Sequence, residues 1–184
     1  MREIVNSTYI TLDGIVENPG SWPSLGGFSG EGTKVQTELI QSCSAILMGR
    51  HTYESFAGVW PTLSGDLADK MNSLPKYVAS TTLTSPTWNN THVIEGDLVT
   101  AVRQLKEEPG DDIVQYGFGP VTRTLITAGL LDRLRLWLHP FFVGHGNSQD
   151  LLYRDTGVTR FDLVGTTALS SGIVILDYRI RAES

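Results

Sequence analysis

The sequence predicts an α/β fold with a mixed, mainly parallel sheet that closes in antiparallel strands. Three observations carry that expectation. Short apolar runs alternate with segments of helical periodicity as far as Gly129. Two of those runs, Ala45-Ile46-Leu47-Met48 and Ile113-Val114-Gln115-Tyr116, lead straight into a glycine and a helix start. The last third turns to strands, and the segments 159–169 and 173–181 flank the hairpin signal Ser170-Ser171-Gly172.

The elements follow in order. Ile4, Val5, Tyr9, Ile10 and Leu12 mark a strand over 2–12 that stops at the turn Asp13-Gly14. Residues 17–32 are rich in glycine and proline and read as a long loop, a length more often functional than not. Val35, Leu39 and Ile40 predict a helix over 33–44. The wholly apolar run 45–48 reads as a buried central strand, ended by Gly49 and followed by helices over 50–57 and 66–73. Tyr77-Val78-Ala79 and His92-Val93-Ile94 give two more strands. Asp97 suits the N-cap of a helix over 98–107, which Pro109-Gly110 stops. After the strand 113–116, Pro120 and Gly129 fit the first and C′ positions of another helix. Residues 134–138 alternate as a strand does, and 141–146 read as strand and turn. The 184 residues carry no internal repeat or linker, so one domain over 1–184 is expected.

Composition excludes several functions. Fourteen Lys and Arg against 20 Asp and Glu give a net charge of −6, without the basic footprint of a nucleic-acid or membrane-surface binder. The single cysteine, Cys43, permits neither an intrachain disulfide nor a thiolate zinc cluster, and His139 and His145 lack partners at metal spacing. The N-terminus shows no apolar leader, so a cytoplasmic location is expected, with the sequons at Asn6 and Asn89 accidental.

The chemistry points to two turns. At Met48-Gly49-Arg50-His51-Thr52 and at Tyr116-Gly117-Phe118-Gly119-Pro120-Val121, a buried strand meets a glycine and then a helix N-terminus. There the open N–H groups and the helix dipole favour an anion, and Arg50 adds a planar cation suited to phosphate. Either turn alone is as readily a simple tight turn; as a pair they suit the two ends of a dinucleotide. Gly117-x-Gly119 is not a Rossmann fingerprint, because Thr122 stands at the third glycine position. The 27–34 stretch fails as a P-loop, since Thr33 and Lys34 are in the wrong order.

Taken in order, several segments resemble the dihydrofolate-reductase-like superfamily. They are Leu12-Asp13-Gly14, Met48 to Glu54, Lys76 to Ser80, Gly117 to Val121, Gly129 to Asp132, His139-Pro140 and Gly144-His145-Gly146. The closest likeness is to the reductase domain of bacterial bifunctional deaminase-reductases of the riboflavin pathway, and it covers nearly the whole chain. The resemblance implies a three-layer fold and NADPH as hydride donor. It places Met48, Gly49, Arg50, His51 and Thr52 about the cofactor phosphates, with Arg50 also near the 2′-phosphate. Ser80, Thr81 and Thr82 would line the adenosine; Gly117, Phe118, Gly119, Pro120 and Val121 would hold the pyrophosphate, with Tyr116 beside the nicotinamide. Ile15, Val16 and Trp22, in the loop after Asp13, would close over nicotinamide and substrate, with Tyr53 also toward the substrate. Asp13, at a strand end beside the nicotinamide, is the candidate for substrate contact or proton delivery.

The chain departs from dihydrofolate reductases in two places. Phe118 separates the glycines of the second turn, and Thr33 stands where those enzymes carry a helix carboxylate. The expected function is an NADPH-dependent reduction of a small heterocyclic or imine-like substrate, as in 5-amino-6-(5-phosphoribosylamino)uracil reduction. Dihydrofolate reduction and non-catalytic NADPH binding are the alternatives. The resemblance also implies a homodimer.

Overall fold

The computed structural model describes residues 1–23, 30–152 and 157–181. Within them, eight strands form one sheet: β1 (Ile4–Thr11), β2 (Cys43–Gly49), β3 (Lys76–Ala79), β4 (Thr91–Ile94), β5 (Asp112–Tyr116), β6 (Arg133–His139), β7 (Phe161–Ala168) and β8 (Val174–Ile180). Five α-helices connect them: α1 (Glu31–Gln41), α2 (Arg50–Ala57), α3 (Asp66–Ser73), α4 (Leu98–Glu107) and α5 (Pro120–Thr127). The spatial order is β4-β3-β2-β5-β1-β6-β8-β7. The first six strands in that order pair in parallel, whereas β8 is antiparallel to both β6 and β7. This is the mixed, mainly parallel sheet with antiparallel closing strands that the sequence predicts.

Helices cover both faces, which is why β2 is apolar on both sides from Ala45 to Met48. Ile46, Leu47 and Met48 are completely buried, each contributing about 1.5–3 kcal/mol of transfer free energy. On one face Val5, Ile46, Met48 and Val114 pack with Leu39 and Ile40 of α1, Tyr53 of α2 and Met71 of α3. On the other, Ile4, Ala45, Leu47 and Ile113 meet Val102 and Leu105 of α4 and Leu125 of α5. The helices that follow the neighbouring strands β2 and β5 therefore leave to opposite faces. A crevice opens at the carboxyl ends of such strands.

Three expectations need correction. Helix α1 begins at Glu31 and ends at Gln41, because Cys43 and Ser44 already belong to β2. The segment 141–146 is not a strand: Gly144 and Gly146 have φ of 75° and 144°, outside the extended region, and Asp13 takes the N–H groups of Val143 and Gly144. Part of the expected 17–32 loop, residues 24–29, lies outside the described residues. Of its described part, Pro19–Ser21 forms a short 3-10 turn, and Glu31 and Gly32 already belong to α1. No helix among the described residues is long and apolar enough to cross a membrane.

Candidate functional site

β3, β2 and β5, lying side by side, end level with one another in one row, which β1 crosses at Ser7 before running four residues further to Thr11. Gly49 is level with Ala79, Met48 with Tyr116, and Ser7 with Tyr116. Three inter-strand steps of about 4.8 Å make this row roughly 14 Å long. It carries, in order, the 80–82 turn, the Gly49-Arg50 turn and the Gly117-Phe118-Gly119 turn, with the loop after Asp13 standing beyond it at the end of the longer β1. Residues far apart in the sequence thus share one edge.

At the first turn, Gly49 precedes α2 in an extended conformation and no side chain caps the helix. The first N–H groups of α2 therefore have no partner within the helix. Arg50 is half-exposed; its Nε donates to Glu54 Oε1 at 2.6 Å and its Nη1 to Thr82 Oγ1. That second bond ties the 80–82 turn to α2. Ser80 Oγ accepts from Thr82 N at 3.1 Å and Leu83 N at 3.0 Å, so Ser80 shapes the turn while Thr81 and Thr82 stay exposed. His51 is exposed too.

At the second turn Gly117 has φ of 79°, and a β-carbon there would overlap Thr52 Oγ1. A β-carbon on Gly49 would lie 3.4 Å from Val121 Cγ2. The two turns are therefore packed directly on each other. Phe118 and Gly119 are half-buried and Pro120 is exposed at the start of α5. Tyr116 is buried between Phe56 and the core, and burial pushes its hydroxyl pKa well above the usual range, keeping it a neutral group.

At the β1 end, Asp13 accepts from the Thr11 hydroxyl and from the N–H groups of Val143 and Gly144, the latter at 2.9 Å. The Thr11 hydroxyl and then the Gly144 N–H hold its pKa below the usual carboxylate value. Ile15 and Val16 are buried, joined to the 150–152 segment by the Ile15–Leu151 bridge and by Val16 N donating to Asp150 O. Trp22 packs edge-on against His139 and Phe141, and His139 in turn against Tyr9. His139 is 5% exposed and its pKa is lowered, first by burial, with the carbonyl of Trp137 opposing.

Two of the expected site residues sit elsewhere. Tyr53 is 3% exposed, and its hydroxyl accepts from Thr87 N and Trp88 N, so it anchors the 87–88 turn in the core. Its position three residues into α2 turns it to the sheet rather than to the crevice. Met48 is likewise core, leaving only its backbone at the strand end.

Other polar groups escaped the sequence reading. Asn6, Ser7 and Thr8, three polar residues in the middle of a central strand, are all buried. That run was the available signal, masked by its likeness to a sequon. Gln36 of α1 is 4% exposed, lies beside the Tyr9 hydroxyl, whose pKa it lowers against burial, and keeps its Oε1 without a partner. Thr33 Oγ1, one turn away, is also unpartnered. Burial raises the Tyr9 pKa to about 12. Tyr9, Gln36 and Thr33 thus put neutral polar groups beneath the Trp22–His139 cluster. Among the described residues no cluster of His, Cys, Asp or Glu suits a metal ion.

Comparison with known proteins agrees with this geometry. Residues 2–175 match the family described as the RibD C-terminal domain. The chain is 28% identical over 190 residues to the uncharacterized protein YyaP of Bacillus subtilis, covering 96% of this chain and 94% of that one. Among solved structures it is similar to a putative riboflavin biosynthesis protein from Shewanella sp. PV-4, with a TM-score of 0.71, 17% identity and coverage of 99% and 100%. It is also similar to the deaminase/5-amino-6-(5-phosphoribosylamino)uracil reductase of Thermotoga maritima, with a TM-score of 0.65 and 16% identity. The match covers 98% of this chain but 57% of that bifunctional protein.

Proposed function

The chain belongs to the RibD C-terminal domain family, and from that premise we propose an NADPH-dependent reductase of the riboflavin-pathway kind. Its substrate is a small heterocyclic or imine-like molecule of the class of 5-amino-6-(5-phosphoribosylamino)uracil. The observation that carries the reading is the pair of glycine turns packed on each other at neighbouring strand ends, Gly49 before the uncapped α2 and Gly117 against Thr52, beside the 80–82 turn.

In this reading Gly49, Arg50, His51 and Thr52 take phosphate at the open end of α2. Arg50 reads the 2′-phosphate, and Ser80, Thr81 and Thr82 line the adenosine. Gly117, Phe118, Gly119, Pro120 and Val121 border the pyrophosphate. Tyr116, Ile15 and Val16 wall the nicotinamide. The glycine at 117 and the uncapped α2 fit such a group, since both leave backbone N–H groups approachable.

When bound, NADPH supplies the hydride. The chain supplies position and dryness. Trp22 and the aromatic cluster beneath it cover the substrate side, and Tyr9, Gln36 and Thr33 offer neutral hydrogen-bonding groups there. Asp13 holds the 143–144 backbone that walls this pocket. Because the α1 groups carry no charge, and Glu31 Oε2 is engaged by Ser170 N at 2.8 Å, they favour a neutral uracil-like ring over the cationic pterin of dihydrofolate reduction.

The same reading makes the protein a cytoplasmic homodimer. Its support is the sheet face shared by Leu136, Leu138, Leu176 and Leu163, on which Leu163 is 57% exposed.

Titration with NADPH and NADH, followed by the loss of reduced nicotinamide on adding the pyrimidine substrate, tests the proposal. Tight NADPH binding with turnover of the uracil derivative is expected. Turnover of dihydrofolate instead would favour that alternative, and NADPH binding without oxidation would favour a non-catalytic nucleotide-binding protein.

A further inference from the structure

The carbonyl oxygen of Gly117 is the target of three buried side chains. Asn6 Nδ2 and Gln115 Nε2 each donate to it at 2.9 Å, and Thr122 Oγ1 lies at 3.1 Å. These groups are bonded to one another as well. Asn6 Nδ2 also donates to Gln115 Oε1, and the Thr122 hydroxyl is 3.1 Å from the same atom. Asn6 and Thr122 are fully buried and Gln115 is 1% exposed. Burying three polar side chains under a sheet opposes folding unless nearly every group is paired. A set of aliphatic residues would fill the same space without that penalty.

The peptide Gly117–Phe118 is trans, so its N–H points away from its C=O. Pinning the carbonyl inward, toward Gln115 and Asn6, turns the Phe118 N–H outward over the crevice. Among the described residues that N–H has no acceptor. The rest of the turn offers few donors: Pro120 has none, and Gly119 N already faces Thr122 Oγ1 at 3.5 Å. Gly117 cannot be held by a side chain of its own, and its φ of 79° is one of several open to glycine.

We propose that Asn6, Gln115 and Thr122 are positioning residues that fix the Gly117–Phe118 peptide so that the Phe118 N–H meets a phosphate oxygen of the dinucleotide. The network spans β1, β5 and α5, so the three elements around the second turn set one peptide plane. This rests on the reading of the site as a dinucleotide site.

The experiment compares the wild type with Thr122→Val, which keeps the shape and removes the hydroxyl, and Thr122→Ser, which keeps the hydroxyl. The NADPH dissociation constant of Thr122→Val is expected to rise roughly 5- to 30-fold. Binding of adenosine 2′-monophosphate, which lacks the pyrophosphate and keeps the group assigned to Arg50, should change by less than about twofold. Thr122→Ser should restore NADPH affinity to within about threefold, and the Phe118 amide proton resonance should shift on NADPH binding in wild type and Ser variant. An unchanged NADPH affinity in a folded Thr122→Val, or an equal loss for NADPH and the 2′-monophosphate, would overturn the assignment. A Phe118 amide that does not move on saturation would do the same if the Val variant fails to fold. A wild type that binds neither nucleotide removes the dinucleotide reading itself, which is a different result.

Discussion

Gly117 sits against the Thr52 hydroxyl so closely that no β-carbon fits between them. That contact is what makes two turns, each ordinary alone, into one surface. Thr52 belongs to the first turn of α2, and Gly117 ends β5, so the contact sets the spacing between both sets of open N–H groups.

Gly117→Ala is therefore expected to be strongly destabilising. A positive φ on a residue with a β-carbon costs about 1–2 kcal/mol, and forcing that carbon into Thr52 adds about 1–3 kcal/mol. For a chain of this size the melting temperature should fall by roughly 5–15 °C. Pairing it with Thr52→Ala should return part of the loss, whereas the backbone share stays. Calorimetry of the two single variants and the double variant measures that coupling. Additive losses would mean that the contact is not what requires glycine.

Arg50 is where the proposed preference for NADPH can be tested. Its guanidinium already reaches Thr82 and Glu54, so it is held at the junction of the two turns before any ligand arrives. Arg50→Ala is expected to weaken NADPH binding about 10- to 100-fold, the range for a lost charge-assisted contact, and NADH binding by a few fold. The NADPH constant of the wild type should also weaken with salt more steeply than that of the variant. Titration of both nucleotides at two ionic strengths checks this. Equal losses for NADPH and NADH would take the 2′-phosphate away from Arg50.

What the sequence made legible follows from distance along the chain. The runs ending at Gly49 and Gly117 stood out because strand, glycine and helix start are all local signals. That the two turns touch was not legible, since it depends on β5 returning between β2 and β1. The clamp on Gly117 was hidden for a similar reason: Asn6 and Gln115 are 109 residues apart, and a polar residue in a strand reads as exposed. Tyr53 lay next to a recognised motif, yet the helical period carried it into the core. Phe141-Phe142-Val143 has strand composition, but the glycines beyond it and the Asp13 carboxylate bend it into a loop.

Lys76 offers a test of the fold by pH. It is completely buried at the start of β3; its Nζ donates to Asn72 O at 2.6 Å and Asn89 O at 3.1 Å, and lies 4.5 Å from the Trp88 ring centre. No described carboxylate pairs with it. Burial lowers its pKa from 10.5 to about 8. Below pH 8 both folded and unfolded chains hold the proton, so the cost of the buried charge is constant. Between about 8 and 10.5 the unfolded chain binds more protons, and this lysine makes stability rise with pH. The full span is about 3 kcal/mol. Cys43 and Tyr9, whose pKa values burial raises to about 11 and about 12, act in the opposite direction. The difference between wild type and Lys76→Met in denaturant unfolding isolates the lysine. That difference should move in favour of the wild type from pH 8 to 10.5; a difference that stays flat would mean the ammonium is not desolvated.

Asp13 poses the sharpest question about the site. Its carboxylate accepts the Thr11 hydroxyl and two backbone N–H groups of the 143–144 loop. Beyond that loop, a β-carbon on Gly146 would lie 3.2 Å from Ile15 Cδ1, so the loop backs directly onto Ile15. A carboxylate stabilised by three donors has a lowered pKa and stays ionised at neutral pH. An ionised group so engaged holds a loop well and gives up a proton poorly. Asp13→Asn should thus raise the KM for the uracil substrate about three- to tenfold while kcat changes by less than about twofold at saturating NADPH. Acid should act in the same direction, since the loop contacts are present above the ordinary carboxylate pKa and are lost as pH falls through the lowered one. Steady-state kinetics of the wild type and Asp13→Asn decide between the roles. A kcat that collapses tenfold or more with KM unchanged would assign Asp13 to proton delivery instead, because only a group acting on the reacting atoms moves kcat alone.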